Sequence, residues 1–158
     1  MGKMMGTLFC TVSKVLGACE CEKQEPVPQL TFSGEMDIYE LSSILIDKFP
    51  DTPIYLPDSL YKLCSIQDVK RFLEWDNTDK QKYLAEMHDC DDFAYRLKGQ
   101  ISIYPWSAIP FGIVWTNIHA LNIVVLSDKE IYFVEPQSDK ILETLEPWQG
   151  TEIRFIAL

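Results

Sequence analysis

A chain of 158 residues that is 47% hydrophobic can bury one sizeable core, so a single domain is the default. Its net charge of -10 argues against nucleic acid and anionic membrane, both of which demand cationic surface, while permitting a bound cation. No apolar run approaches the roughly 18 residues that a spanning helix needs.

The first segment, residues 1–29, reads as an extension or linker, distinct from a domain over 30–158. An apolar run from Met4 to Val12 follows Lys3, and Leu16-Gly17-Ala18-Cys19 resembles a bacterial lipoprotein cleavage box. Lys14 interrupts the apolar stretch that such a signal requires, which makes anchoring at Cys19 the lesser alternative. A cytoplasmic or virus-encoded protein is the main expectation. Gly2 opens a myristoylation pattern, but Gly6 stands where Ser or Thr belongs. Glu25-Pro26-Val27-Pro28 predicts an extended connection. The five cysteines Cys10, Cys19, Cys21, Cys64 and Cys90 lack the spacing of a zinc site and fit free thiols in a reducing compartment.

From Asp37 the apolar residues Ile38, Leu41, Ile44, Leu45 and Phe49 recur at helical steps until Pro50 ends them. Pro53 to Pro57 is extended and too rich in proline for a central strand. Ser65 and Asp68 predict a capping box, with Val69, Phe72 and Leu73 as that helix's buried face. A further helix is expected over Asp79 to Met87. Another begins near Asp89, with Gly99 as its stop. Strands are expected over Phe111–Trp115, Ile118–Leu126, Glu130–Glu135 and Glu152–Ile156, the middle two joined as a hairpin through Ser127, Asp128 and Lys129. Helices first and antiparallel strands afterwards make an α+β arrangement.

The chemistry concentrates between His88 and Gln137. Cys90 at a helix start gains from unpaired N–H groups and the positive end of the dipole, both favouring thiolate. Its bland alternative is a small buried residue. His119 on a strand is either the proton carrier or a satisfied core histidine. His88 is the rival base. If the hairpin loop has three residues, Leu121 faces Glu135 and His119 faces Gln137 on one side of the sheet. Either Glu135 or Gln137 then orients the imidazole, and a carboxylate would also stabilise its charged form. Asp89, Asp91 and Asp92 oppose a thiolate. One caps the helix, and a hard cation held by Asp91, Asp92 and Glu135 would neutralise the rest. Trp106 and Trp115 line either a cleft or the core, and Gln81 is a weak oxyanion candidate.

Cys90 in Asp89-Cys90-Asp91-Asp92-Phe93-Ala94, His119 in His119-Ala120-Leu121-Asn122 and Glu135 in Glu135-Pro136-Gln137 resemble the papain-like and transglutaminase-like cysteine peptidase superfamily. The stretch is similar to the calcium-dependent cysteine protease domain of fungal chimeric agglutinins and to related bacterial and phage domains. That resemblance covers roughly residues 80 to 140. It implies Cys90 as nucleophile, His119 as base, Glu135 as third member and a nearby divalent cation, calcium or manganese. The expected protein is a papain-like hydrolase with the nucleophile helix packed on a C-terminal antiparallel sheet, acting on a protein or peptide. Transferase activity toward an amine is the variant outcome. The rival is a non-catalytic calcium-binding or phage interaction module with the same fold, and a redox or zinc protein using Cys19 and Cys21 is a third reading. Oligomeric state stays open.

Overall fold

The computed structural model describes residues 25–158; the lipoprotein-like box, the Gly2 pattern and the thiols Cys10, Cys19 and Cys21 lie outside the described residues. In chain order the elements are β1 (Gly34–Asp37), α1 (Ile38–Lys48), β2 (Ile54–Tyr55), β3 (Leu60–Leu63), α2 (Ile66–Trp75), α3 (Cys90–Ile101), β4 (Phe111–Thr116), β5 (Ala120–Val125), β6 (Ile131–Glu135), β7 (Lys140–Leu142) and β8 (Ile153–Ala157). A six-stranded sheet runs β2-β8-β4-β5-β6-β7, and β1 pairs with β3 as a separate antiparallel ribbon.

Local chemistry explains the helix starts. The Asp37 carboxylate accepts from the Tyr39 and Glu40 amides at 2.9 Å, satisfying orphan donors of α1. At α2 the Ser65 hydroxyl accepts from the Asp68 amide at 3.2 Å, while the Asp68 carboxylate accepts from the Ser65 amide at 3.0 Å. This is the capping box that the sequence predicts. Ser65→Ala is expected to cost about 1 kcal/mol, read as a lowered urea midpoint with unchanged slope. A midpoint that does not move would show that Asp68 alone carries the cap.

Two apolar layers decide the architecture. On one face of the sheet, Leu41 and Leu45 of α1 pack with Val114, Leu121, Ile123, Val125, Phe133 and Ile156. On the other, Phe72 of α2 and Leu97 and Ile101 of α3 pack with Trp106, Phe111, Val124 and Val134. Each residue of β5 is therefore buried, which is why its sequence is almost continuously apolar.

Several expectations change. The predicted papain-like arrangement, with helices leading to an antiparallel sheet, is corrected to a mixed sheet with helices on both faces. Edge strand β2 pairs parallel to β8, and the N-terminal part contributes strands as well as helices. The helix expected over Asp79 to Met87 is absent, replaced by turns and one bridge between Leu84 and His88. Residues 82–87 are all exposed, so a helix there would have no apolar face to bury. Gly99 does not stop α3, which runs on because Ile101 is buried beneath it. The Glu25–Pro28 connection is docked: its Glu25 and Pro28 carbonyls each accept an indole N–H at 2.9 Å, from Trp75 and Trp106.

Candidate functional site

The hairpin fixes the register. Asn122 pairs with Val134 and Val125 with Ile131, the pairing that a three-residue loop requires. His119 immediately precedes β5 and Glu135 ends β6, so the two side chains meet. The ring Nε2 lies 2.9 Å from Glu135 Oε2, and both side chains are almost fully buried. A carboxylate oxygen only accepts, so Nε2 carries the proton. Glu135, rather than Gln137, is the group on the imidazole; Gln137 supplies only a long contact of 3.4 Å from its amide to Glu135 Oε1.

A third member is not evident in the sequence reading. Gln149 Nε2 donates to the same Glu135 Oε2 at 2.8 Å and is itself fully buried. It sits on a short 3-10 turn, Pro147–Gln149, docked where the Thr116 hydroxyl donates to the Gln149 carbonyl at 2.6 Å. Gly150 closes this turn at φ +101°, and a Cβ there would fall 2.6 Å from Thr116 Oγ1. The Pro-Trp-Gln-Gly string before the last strand was the available signal, but nothing local says that its glutamine points at a distant carboxylate. From the same turn, Trp148 lies 5.2 Å from the His119 ring and is half exposed.

Cys90 opens α3, as expected. It packs against Ala94, Ile113 and Ala120 beside Trp115. Burial pushes the thiol above its ordinary pKa; the Ala120 N–H pulls it back, and the Asp89 and Asp91 carboxylates push it up again. The balance favours protonated thiol over thiolate. Among the described residues, Glu135 is the hydrogen-bond partner of the His119 ring, and no hydrogen bond joins that ring to Cys90.

The acidic residues divide differently from the predicted ligand set Asp91, Asp92 and Glu135. Asp92 accepts from the Asp89 amide at 3.1 Å, an ordinary capping contact. Glu135 is taken by His119 and Gln149. Ligand atoms of Asp89, Cys90 and Asp91 come within 4.8 Å of one another. A hydrogen bond between the two carboxyls holds Asp89 below the usual range and Asp91 above it. The remaining candidates have structural roles. Trp106 is buried against Phe72 at 4.7 Å, His88 packs edge-on to Phe93 at 4.8 Å, and Gln81 Nε2 donates to the Asn77 carbonyl.

Outside the buried cluster, aromatic rings form a row. Trp115 lies 5.8 Å from Tyr95 and 5.5 Å from Phe155, and both of those outer rings are exposed.

Comparisons with known proteins meet this geometry at the level of fold. No family model and no curated protein matches the chain. Solved structures do, and two of them serve as examples. One is Polyporus squamosus lectin bound to the human-type influenza-binding epitope Neu5Aca2-6Galb1-4GlcNAc, with a TM-score of 0.65 and 19% identity. The other is PSL1a in a complex with E64, with a TM-score of 0.67 and 20% identity. The fold is shared with part of a lectin's chain. The match covers 78% of this chain in both cases, but 49% and 51% of those chains, so this chain spans about half their length.

These findings correct the identity expected from the residue order. The solved chains that share the fold carry a lectin's name. The papain-like or transglutaminase-like peptidase assignment, its hydrolase activity and its peptide substrate do not stand against them. No helix among the described residues is long and apolar enough to cross a membrane.

Proposed function

We propose that the chain is a non-catalytic binding module, with a sugar-bearing molecule as its ligand class. The observation that carries this is the aromatic row Tyr95, Trp115 and Phe155, presented on the surface beside Cys90. Exposed aromatic rings offer flat apolar area, and nearby polar groups fix a ligand's orientation. A pyranose ring suits such a platform, since it has apolar C–H faces and a rim of hydroxyls. The glycan named with the Polyporus squamosus lectin structure supports a sugar as the first class to test. His119, Glu135 and Gln149 on this reading are a buried scaffold that holds the Trp148 turn in place.

Calorimetric titration of the full chain with oligosaccharides, beginning with that epitope, tests the proposal. Binding is expected, and Trp115→Ala should weaken it about tenfold or more. The competing outcome is covalent chemistry at Cys90. Iodoacetamide labelling with mass mapping should be slow at neutral pH and rise only as alkaline pH ionises the thiol. The same assay with E64, the compound named with the PSL1a structure, should leave Cys90 unmodified. A rapid adduct on Cys90 at neutral pH, slowed by His119→Ala, would overturn the non-catalytic reading and make Cys90 a nucleophile.

A further inference from the structure

The face of the sheet that carries Trp115 is covered unevenly. α3 packs mainly across β4 and β5, while β8 and the edge strand β2 lie beyond it. The registers show what those outer strands present. Phe155 of β8 pairs with Trp115 of β4, and Tyr55 of β2 pairs with Ala157, the next β8 residue on the same face as Phe155. Side chains alternate along a strand, so Trp115, Phe155, Ala157 and Tyr55 all point to one side. Their neighbours Ile54 and Ile156 pack into the core on the other side, with α1. Tyr55 and Phe155 are both exposed.

The aromatic row therefore does not end at Phe155. The Trp115 and Phe155 rings are inclined by 38° and make a floor, while Tyr95 meets Trp115 edge-on at 62° and stands as a wall. Tyr55 lies one strand over and two residues along from Phe155, a Cα step of roughly 8 Å at ordinary strand spacing. Ala157 fills the corner between them with a methyl group only, which keeps the floor low. Because β2 is the edge strand, a ligand lying on this floor can run past Tyr55 without meeting another strand of the sheet.

We infer that Trp115, Phe155 and Tyr55 form a continuous floor for an extended chain of neutral, linked pyranoses, with Tyr55 stacking on the ring farthest from Cys90. This floor presupposes the sugar-binding reading and adds to it the length, direction and charge of the ligand. The exposed groups are flat rings, and Tyr55 and Tyr95 carry hydroxyls. That suits apolar C–H faces rimmed by hydroxyls better than it suits an aliphatic protein surface. A protein partner is not drawn by strand pairing either. The outer edge of β2 is two residues long and lies between Pro53 and Pro57, a poor template for an added strand. Charge excludes an acidic polymer. Asp91 precedes Tyr95 by one turn of α3, and with Asp89 it places carboxyl groups at the Cys90 end of the row.

The test is calorimetric titration of the full chain with β-1,4-linked glucose and N-acetylglucosamine oligosaccharides, from a single ring up to a hexasaccharide. These linkages hold the rings in an extended ribbon. Affinity should rise about tenfold or more between the disaccharide and the tetrasaccharide. Tyr55→Ala should remove that gain, so that the tetrasaccharide binds no better than the disaccharide. Tyr55→Phe should keep it, since the ring does the stacking. Tyr55 is exposed, so neither variant should lower the melting temperature. If sugars bind through Trp115 but affinity does not grow with chain length, or if Tyr55→Ala keeps the whole gain, the extended floor is overturned and the sugar-binding reading stands. Binding of an anionic glycan with no binding of either neutral series overturns the neutral chain in the same way. Absence of binding to every sugar overturns both.

Discussion

Gly112→Ala is expected to destabilise the domain by about 3–5 kcal/mol, enough to unfold much of the protein at physiological temperature. A Cβ on Gly112 would lie 2.1 Å from the Ala157 carbonyl oxygen and 2.6 Å from Leu158 Cα. Both are main-chain atoms at the end of β8, which pairs with β4 in the centre of the sheet. A flexible side chain would yield at small cost, whereas a strand backbone moves only with its ladder. Gly99→Ala is the control. A Cβ there meets nothing within 4 Å, and the residue lies inside α3, so alanine should stabilise by about 0.5–1 kcal/mol. Urea denaturation of the two variants should move the midpoint in opposite directions. A Gly112→Ala loss below about 1 kcal/mol would mean that the β4–β8 pairing is looser than described.

Glu135→Ala should cost about 2–4 kcal/mol, because one carboxylate oxygen satisfies two buried donors. His119 Nε2 at 2.9 Å and Gln149 Nε2 at 2.8 Å would both lose their acceptor in a site that excludes water. Glu135→Gln keeps an acceptor oxygen but brings an N–H2 group into the same space. It should cost less, about 1 kcal/mol. Thermal melts of the pair, with the His119 Nε2 proton followed by NMR, separate the effects. An unchanged melt for Glu135→Ala would show that solvent replaces the carboxylate, and the buried scaffold would lose its main support. Gln149→Ala should behave as a weaker version, since it removes one donor and leaves the His119 contact.

The local structure was legible where side chains act on their own backbone. Asp37, Ser65 and Asp68 announce helix starts because their oxygens reach amides two or three residues away. The hairpin register also followed from sequence, since strand parity fixes Leu121 against Glu135 once the loop holds three residues. Short strands were missed for the opposite reason. Neither β1, β3 nor β7 carries a long alternating pattern; β1 and β3 exist because each supplies the other's hydrogen bonds across the intervening helix α1, and β7 because it folds back on β6.

Residues 82–87 show how a local preference fails without burial. Helix-forming Leu84, Ala85 and Glu86 stand together, yet none has a core to face, and turns prevail. The site divided along the same line. The His119–Glu135 pairing could be read as an alternative to Gln137, but Gln149 is 14 residues beyond Glu135 and enters only through the docked 3-10 turn.

The sequence by itself determined the helix caps, the central hairpin and the placing of Cys90 at a helix start, because those depend on neighbours in the chain. Tertiary structure alone decided the two-sided burial of the sheet, the burial of the Cys90 thiol and the docking of Gln149 against Glu135. The physical reason is that burial, desolvation and charge repulsion act between segments far apart in sequence. No local pattern records which of them will meet.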